Sequence, residues 1–141
     1  MRATTLLGKI LGLKQTRILA VTIDDEGLVV DVAPTTRVPY CSECGRRVRA
    51  VHDRYEGRRW RHLDLGALRL WLRYTMRRVS CPRCGVVVEL VPWAENQSWF
   101  TYEFEEQVAY LAQRLDKTTL SKLMRISWNT VGAIIQRVLP R

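Results

Sequence analysis

Several features that mark common functional classes are missing from this sequence. There is no export signal at the N-terminus, because Lys9 and Lys14 interrupt the apolar stretch that begins at Leu6. No stretch approaches the length of a membrane span. The chain also lacks a phosphate-binding glycine loop and a Ser/His/Asp set, and it has only two histidines. These absences predict a cytoplasmic protein without a membrane or small-molecule partner, and they disfavour an autonomous enzyme.

Cysteine is scarce, and its placement is therefore informative. The four cysteines form two Cys-x-x-Cys-Gly motifs, Cys41/Cys44 and Cys81/Cys84. Each motif lets a tight turn direct two sulfurs at one ion, and four thiolates complete a tetrahedral zinc site with no open position for substrate. The spacing thus predicts one structural Zn²⁺. A rubredoxin-like iron site and redox-active pairs are the alternatives, although a thioredoxin-type protein carries one reactive pair in a βαβ setting.

Positive charge is concentrated between the two cysteine motifs. The formal net charge is +9, and residues 1–40, 41–84 and 85–141 contribute +1, +8 and 0. All twelve basic residues of the middle segment are arginine, the side chain best suited to bidentate contacts with phosphate and guanine. A GC-rich genome could account for the excess of arginine over lysine, but not for the clustering. The segment is therefore predicted to contact nucleic-acid phosphates.

Apolar and basic residues alternate between the cysteine motifs. Segments 48–55, 58–65 and 67–79 follow this period of two, which predicts strands with an apolar face inward and a basic face outward. Glu56-Gly57 and Leu65-Gly66 are predicted turns, and residues 86–91 a last short strand. His52 and His62 are assigned to these strands rather than to the metal, because four cysteines already complete its shell. The segment is predicted to form a small antiparallel sheet held together by zinc.

The segments on either side of this sheet have different periods. Residues 2–13 predict a short amphipathic helix, and residues 16–32 a β-hairpin that turns at 25–27. Beyond Pro92, Thr101 is predicted to cap one helix, Thr118 a second, and Ser127 a third that runs to Leu139. We therefore predict an α+β protein with an N-terminal helix and hairpin (1–40), a four-cysteine zinc-binding β module resembling a zinc ribbon (41–92), and a three-helix helix-turn-helix domain (93–141).

The last two helices have the order typical of a helix-turn-helix, in which the final helix enters the major groove. A glycine often occupies the turn, and since Arg125 stands near that place, we expect a slightly different turn that avoids an unfavourable backbone angle. An ordinary helical hairpin or a dimerisation element is the simpler alternative. The predicted DNA contacts on the helices are Lys122, Arg125, Ser127, Trp128, Asn129, Thr130, Ala133, Gln136 and Arg137. Those on the sheet are Arg58, Arg59, Arg61, Arg69, Arg73 and Arg77.

Several of these motifs occur together in one known family. The motifs are the two Cys-x-x-Cys-Gly sequences, Arg61-His62-Leu63-Asp64, Phe100-Thr101-x-x-Phe104-Glu105 and Ser127-Trp128-Asn129-Thr130-Val131. Together they cover about two thirds of the chain and resemble the N-terminal half of bacterial insertion-sequence transposases of the ISL-three type. The resemblance implies that a zinc module and a helix-turn-helix recognise the terminal repeats of the element. In the family a following RNase H-like domain, with three acidic residues and divalent metal, cuts and joins the DNA.

The leading hypothesis is therefore sequence-specific binding of double-stranded DNA at the terminal repeats of a mobile element, by the non-catalytic part of a transposase. No acidic residue of this chain is assigned to catalysis, since the sequence ends at Arg141 before any catalytic domain. The resemblance also suggests a homodimer, which would suit paired element ends. The alternatives are a zinc-ribbon adaptor that docks on another polypeptide and a free-standing transcriptional regulator.

Overall fold

Nine regular elements follow one another in the order that the changes of sequence period predict. The computed structural model describes all residues 1–141 as an α+β fold. The elements are α1 (Ala3–Leu11), β1 (Thr16–Asp24), β2 (Gly27–Pro34), β3 (Val51–Leu65), β4 (Leu68–Cys81), β5 (Gly85–Val88), α2 (Tyr102–Ala112), α3 (Lys117–Met124) and α4 (Trp128–Val138). The N-terminal helix, the hairpin and the three C-terminal helices are confirmed. None of the helices is long and apolar enough to cross a membrane.

The five strands form a single mixed sheet. Its order is β1-β2-β4-β3, and β5 pairs with another part of β4. β2 runs parallel to β4, with Leu28 opposite Leu70 and Val30 opposite Leu72, while the other strand pairs are antiparallel. The antiparallel sheet predicted for the zinc-bracketed segment is confirmed for β3, β4 and β5. The parallel pairing of β2 with β4 was not predicted, because alternation shows which face is buried but not which strand lies alongside. The hairpin and the zinc-bracketed strands thus share one sheet.

β3 is one continuous strand, and the predicted turn at Glu56-Gly57 is wrong. The pairing of β3 with β4 shifts register between Tyr55 and Arg58, so Glu56 and Gly57 form an irregular bulge within the strand. Gly57 has a φ of 82°, which its lack of a Cβ makes accessible. The predicted turn at Leu65-Gly66 is confirmed, since β3 ends at Leu65 and β4 begins two residues after Gly66.

The apolar face of the sheet builds the larger of two hydrophobic cores. Leu70 and Leu72 of β4 are fully buried, as their alternation with exposed or half-buried neighbours predicts. Trp60 of β3 packs edge to face against Trp93, with ring centroids 5.3 Å apart. Leu7 of α1 is buried in the same core. This core fixes the orientation of the sheet, whose other face carries Arg59, Arg61, Arg69 and Arg73.

The three C-terminal helices enclose a second core and begin at defined caps. Thr101 Oγ1 accepts the Phe104 N–H at 3.3 Å, and Ser127 Oγ accepts the Thr130 N–H at 3.1 Å, so both predicted caps are confirmed. Asp116 caps α3 instead of Thr118, because its carboxylate accepts the Thr119 N–H and the helix begins two residues earlier than predicted, at Lys117. The core residues are Phe104, Val108, Leu120, Met124, Val131 and Ile134.

Candidate metal centre and nucleic-acid interface

The four cysteine sulfurs converge as a zinc site requires. All four Sγ atoms lie within 4.8 Å of one another, and Cys44 Sγ is 3.6 Å from Cys81 Sγ. Zinc–sulfur bonds of about 2.3 Å in a tetrahedron would place the sulfurs about 3.8 Å apart, close to this spacing. The N–H groups of Glu43 and Cys44 point at Cys41 Sγ from 3.4 and 3.5 Å. The residues therefore fit a zinc ion. The first Cys-x-x-Cys motif (here called a knuckle, residues 41–44) also supplies hydrogen bonds to a ligand sulfur.

The two thiols of the second Cys-x-x-Cys motif differ in their pKa. The backbone N–H groups of Arg83 and Cys84 lower the pKa of Cys81 to about 7. Burial and the neighbouring sulfurs raise the pKa of Cys84. His62 lies apart from the cluster, with its Nδ1 atom 2.7 Å from Thr101 Oγ1. Both histidines occupy β3, as predicted.

Several strand arginines predicted to contact DNA are engaged within the protein. Arg58 stacks on the indole of Trp99, with its guanidinium carbon 3.8 Å from the ring centre. Three others form salt bridges: Arg59 with Asp24 at 2.9 Å, Arg73 with Asp31 at 2.6 Å and Arg77 with Glu89 at 2.8 Å. Arg69 is exposed and forms no salt bridge. The basic face of the sheet is thus largely cross-linked by its own acidic residues.

Arg61 links the sheet to the helices. Its side chain is only 5% exposed, and its guanidinium donates to Asp64 Oδ1 at 2.9 Å. The same group donates to the carbonyl oxygens of Met124 and Arg125, at 3.2 and 3.3 Å. These carbonyls stand at the end of α3, where helical hydrogen bonding leaves acceptors free. Arg61 therefore positions the helix-turn-helix on the sheet.

In the turn between α3 and α4, Arg125 adopts the backbone conformation that we expected the chain to avoid. Arg125 adopts the left-handed conformation, with φ 56° and ψ 48°, in the place where glycine is common. Two contacts hold it there: its Nε lies 3.6 Å from Asp64 Oδ2, and its carbonyl accepts from Arg61. The expected alternative turn is therefore wrong, because local contacts outweigh a cost of about 1–2 kcal/mol.

α4 presents a polar face to solvent. Asn129, Ala133 and Gln136 are exposed, and their spacing of four and three residues places them on one side of the helix. Val131 and Ile134 are fully buried on the opposite side. Two of the predicted contacts at the start of the helix serve its cap, since Ser127 Oγ lies 2.7 Å from Thr130 Oγ1. The face available to a ligand is therefore defined by the three exposed residues.

The remaining predicted contacts on the helices divide into free and engaged side chains. Lys122 is exposed, whereas Arg137 donates to Glu105 Oε2 at 2.7 Å and faces the protein. Trp128 is 53% exposed, with the Lys117 ammonium 4.2 Å from its ring centre. That contact is a cation–π interaction, and Trp128 remains more than half exposed beside it.

Sequence reasoning missed three arginines that lie away from the helices. Arg17, Arg37 and Arg54 are exposed and line one open cleft on the sheet. Arg17 and Arg37 belong to the N-terminal segment, whose charge balance is nearly neutral. No local pattern could have identified them, because the parallel pairing of β2 with β4 brings them beside Arg54.

Two family models cover the regions just described. The model for the zinc-finger of transposase IS204/IS1001/IS1096/IS1165 matches residues 37–84, which include all four cysteines. The model for the helix-turn-helix domain of transposase family ISL3 matches residues 89–139, which include α2, α3 and α4. The chain belongs to the ISL3 transposase family. The resemblance noted from the sequence motifs is thereby confirmed, and both domains support DNA binding within a transposase.

Curated transposases are similar to most of the chain. The transposase for insertion sequence element IS1557 of Mycobacterium tuberculosis is 42% identical over 121 residues, which is 82% of this chain and 27% of that protein. The transposase for insertion sequence element IS1001 of Bordetella parapertussis is 29% identical over 108 residues, or 76% of this chain and 26% of that protein. The chain thus spans about a quarter of the length of these relatives. No solved structure matches it.

Proposed function

We propose that this ISL3-family chain recognises the terminal repeats of a mobile element, as the non-catalytic DNA-binding part of a transposase. The observation that carries the proposal is the exposed face of α4, formed by Asn129, Ala133 and Gln136. The second helix of a helix-turn-helix lies in the major groove. Asparagine and glutamine can each pair with the two hydrogen-bonding atoms of adenine there, and a small apolar side chain suits the thymine methyl group.

Free basic groups beside this face supply the sequence-independent part of binding. Lys122 and Arg125 are exposed on α3 and at its C-terminal end, and Arg69 is exposed on β4. Each contact with a phosphate releases counterions, so affinity should fall steeply as salt rises. Arg58, Arg59 and Arg73 could join only by exchanging their present partners for phosphate. Phosphate contacts would then fix the register of α4 without specifying sequence.

The proposal includes one structural Zn²⁺ per chain and a homodimer. The convergence of four cysteine sulfurs supports the ion, because four ligands fill a tetrahedral shell. Dimerisation would place two α4 helices on paired element ends. Elemental analysis should give about one equivalent of zinc, and less than half an equivalent in carefully purified protein would contradict the ion. Sedimentation of the chain with a single-site and a double-site duplex tests the dimer.

Selection from a randomised duplex pool tests sequence recognition. A labelled duplex of the enriched sequence and a scrambled duplex of equal length are then titrated at equal salt. Asn129→Ala or Gln136→Ala should reduce the preference for the enriched duplex by roughly 5-fold to 150-fold, because each bidentate contact discriminates by about 1–3 kcal/mol. Gln113→Ala, an exposed amide beyond α2, is the matched control. Equal binding of both duplexes by the unmodified protein would refute sequence recognition.

A further inference from the structure

The sheet bears an open cleft on the face opposite its hydrophobic core. The cleft has a volume of about 960 Å³ and includes Asp31 of β2 and Arg73 of β4 in its lining. These two residues are opposite each other in the parallel register and form a salt bridge. Their chain neighbours Val30 and Leu72 are fully buried in the core. Because side chains alternate between the faces of a strand, the cleft lies on the outer face.

The cleft is positively charged. Five arginines line it, against the two carboxylates of Asp31 and Glu56. Two of the five have acidic partners, since Arg73 binds Asp31 and Arg77 binds Glu89. The side chains of the other three are exposed and take part in no salt bridge: Arg17, Arg37 and Arg54. Three guanidinium groups without an acidic partner thus surround one concave surface.

This cleft adjoins a second cavity at the start of α4. The second cavity, of about 430 Å³, has Trp71 of the sheet and both Ser127 and Thr130 of the helix start in its lining. Gly57, at the bulge of β3, lines both cavities. From Arg54, β3 runs roughly 20 Å to Arg61, which lines the second cavity. One face of the molecule therefore carries the free arginines at one end and the start of α4 at the other.

We propose that the cleft binds the phosphate backbone of duplex DNA that flanks the site read by α4, through Arg17, Arg37 and Arg54. This inference rests on the proposed function, because it takes α4 to lie in the major groove. One turn of B-DNA is about 34 Å long, so a duplex on α4 reaches the cleft within a single turn. The planar guanidinium group matches phosphate oxygens in a bidentate geometry. The charge of the cleft and its position beside the cavity at the start of α4 thus favour a nucleic-acid backbone as the occupant.

Salt dependence of binding tests the inference. Fluorescein-labelled 30-base-pair duplexes, one of the selected sequence and one scrambled, are titrated by anisotropy between 50 and 200 mM KCl. The triple variant R17Q/R37Q/R54Q should lower the slope of log K against log[KCl] by about 2 to 3 on both duplexes, because each lost phosphate contact lowers it by about 0.9. The charge-retaining variant R17K/R37K/R54K should keep most of the slope. Circular dichroism and zinc content confirm that the variants fold.

A charge-matched control separates the cleft from net charge. R2Q/K9Q/K14Q removes the same charge from exposed positions in or beside α1, which packs on the core face of the sheet. A slope for the cleft variant equal to that of this control would overturn the inference. If Asn129→Ala still relaxes sequence preference in that case, the proposed function stands and only the cleft assignment falls. If the unmodified protein binds neither duplex, both proposals fall together.

Discussion

The zinc-bracketed sheet and the region from α3 to α4 both carry an excess of basic residues, but they use them differently. In the sheet, five of the twelve arginines between Cys41 and Cys84 form salt bridges, namely Arg59, Arg61, Arg73, Arg77 and Arg78. In the helices, Lys122 and the polar face of α4 are exposed and have no acidic neighbour on α3 or α4. Net charge therefore identifies the sheet as basic. The side chains without an acidic partner, rather than the net charge, show where a polyanion can bind.

The two regions meet at adjacent residues of β3. Arg61 reaches the end of α3, and His62 reaches Thr101, the cap of α2. Because strand neighbours point to opposite faces, the two residues hold the helices from two sides of the sheet. The helix-turn-helix is thus fixed to the sheet by buried polar contacts. Three changes test how far the regions depend on each other.

Loss of the metal should cause the largest destabilisation, and this destabilisation should be concentrated in the zinc-bracketed sheet. Cys81→Ser removes a ligand and should destabilise the chain by several kcal/mol, because binding of a structural zinc contributes directly to folding. Amide exchange should accelerate most at Val48 and Val79, which pack around the cysteines, and least at Val108 and Leu120 of the helical core.

Ser42→Ala is the control for the zinc variant, since Ser42 lies between the ligands Cys41 and Cys44 of the other Cys-x-x-Cys motif and is not itself a ligand. Unchanged exchange at Val48 and Val79 in Cys81→Ser would show that the knuckles do not depend on the ion. Equal acceleration in both cores would show instead that the two regions unfold as one unit.

Removal of Arg61 should have the second-largest effect, a decrease of about 3–5 kcal/mol in the free energy of unfolding. In Arg61→Ala, Asp64 loses a buried partner, and the carbonyls of Met124 and Arg125 lose a donor. Arg69→Ala, on the neighbouring strand and exposed, should change stability by less than about 0.5 kcal/mol. Urea denaturation of the two variants measures the difference. Similar losses would mean that Arg61 does not link the regions.

The His62 contact should give a smaller, pH-dependent effect. Burial lowers the pKa of His62 to about 4, below its usual value of 6.5. As pH falls from 6.5 towards 4, the unfolded chain takes up the proton first, so the unfolding free energy should decrease by up to about 3 kcal/mol. His62→Asn should flatten this dependence, whereas His52→Gln, at an exposed position, should retain it. A wild-type pH slope in His62→Asn would contradict this role for the buried imidazole.

Local patterns were enough to predict much of the fold. The caps at Thr101 and Ser127 follow from side-chain chemistry within three residues, and the buried positions of β4 follow from alternation. The bulge at Gly57 was predicted as a turn, because glycine permits both structures and the choice depends on pairing with β4. Which strand lies beside β4 is likewise decided by distant parts of the chain.

The residues of the candidate site that follow from local sequence spacing could be predicted. Those whose role depends on tertiary contacts could not. The four cysteines and the exposed residues Asn129 and Gln136 could be chosen from spacing alone. The burial of Arg61 could not, because the carbonyls that it binds, those of Met124 and Arg125, stand at the end of α3, more than sixty residues away. Alternation along a strand therefore does not show whether an arginine is free to bind phosphate. That depends on whether acidic side chains or carbonyl groups of the protein already bind it.

The parallel pairing of β2 with β4 determines how this protein can be divided. A fragment that begins near residue 37, where the zinc-finger match starts, would lack β2. The freed edge of β4, around Leu70 to Arg73, would then offer unpaired backbone groups to other chains, as exposed edge strands do in aggregation. Transfer of this DNA-binding unit to another protein should therefore carry the chain from Thr16 onward, so that the sheet keeps its own neighbour.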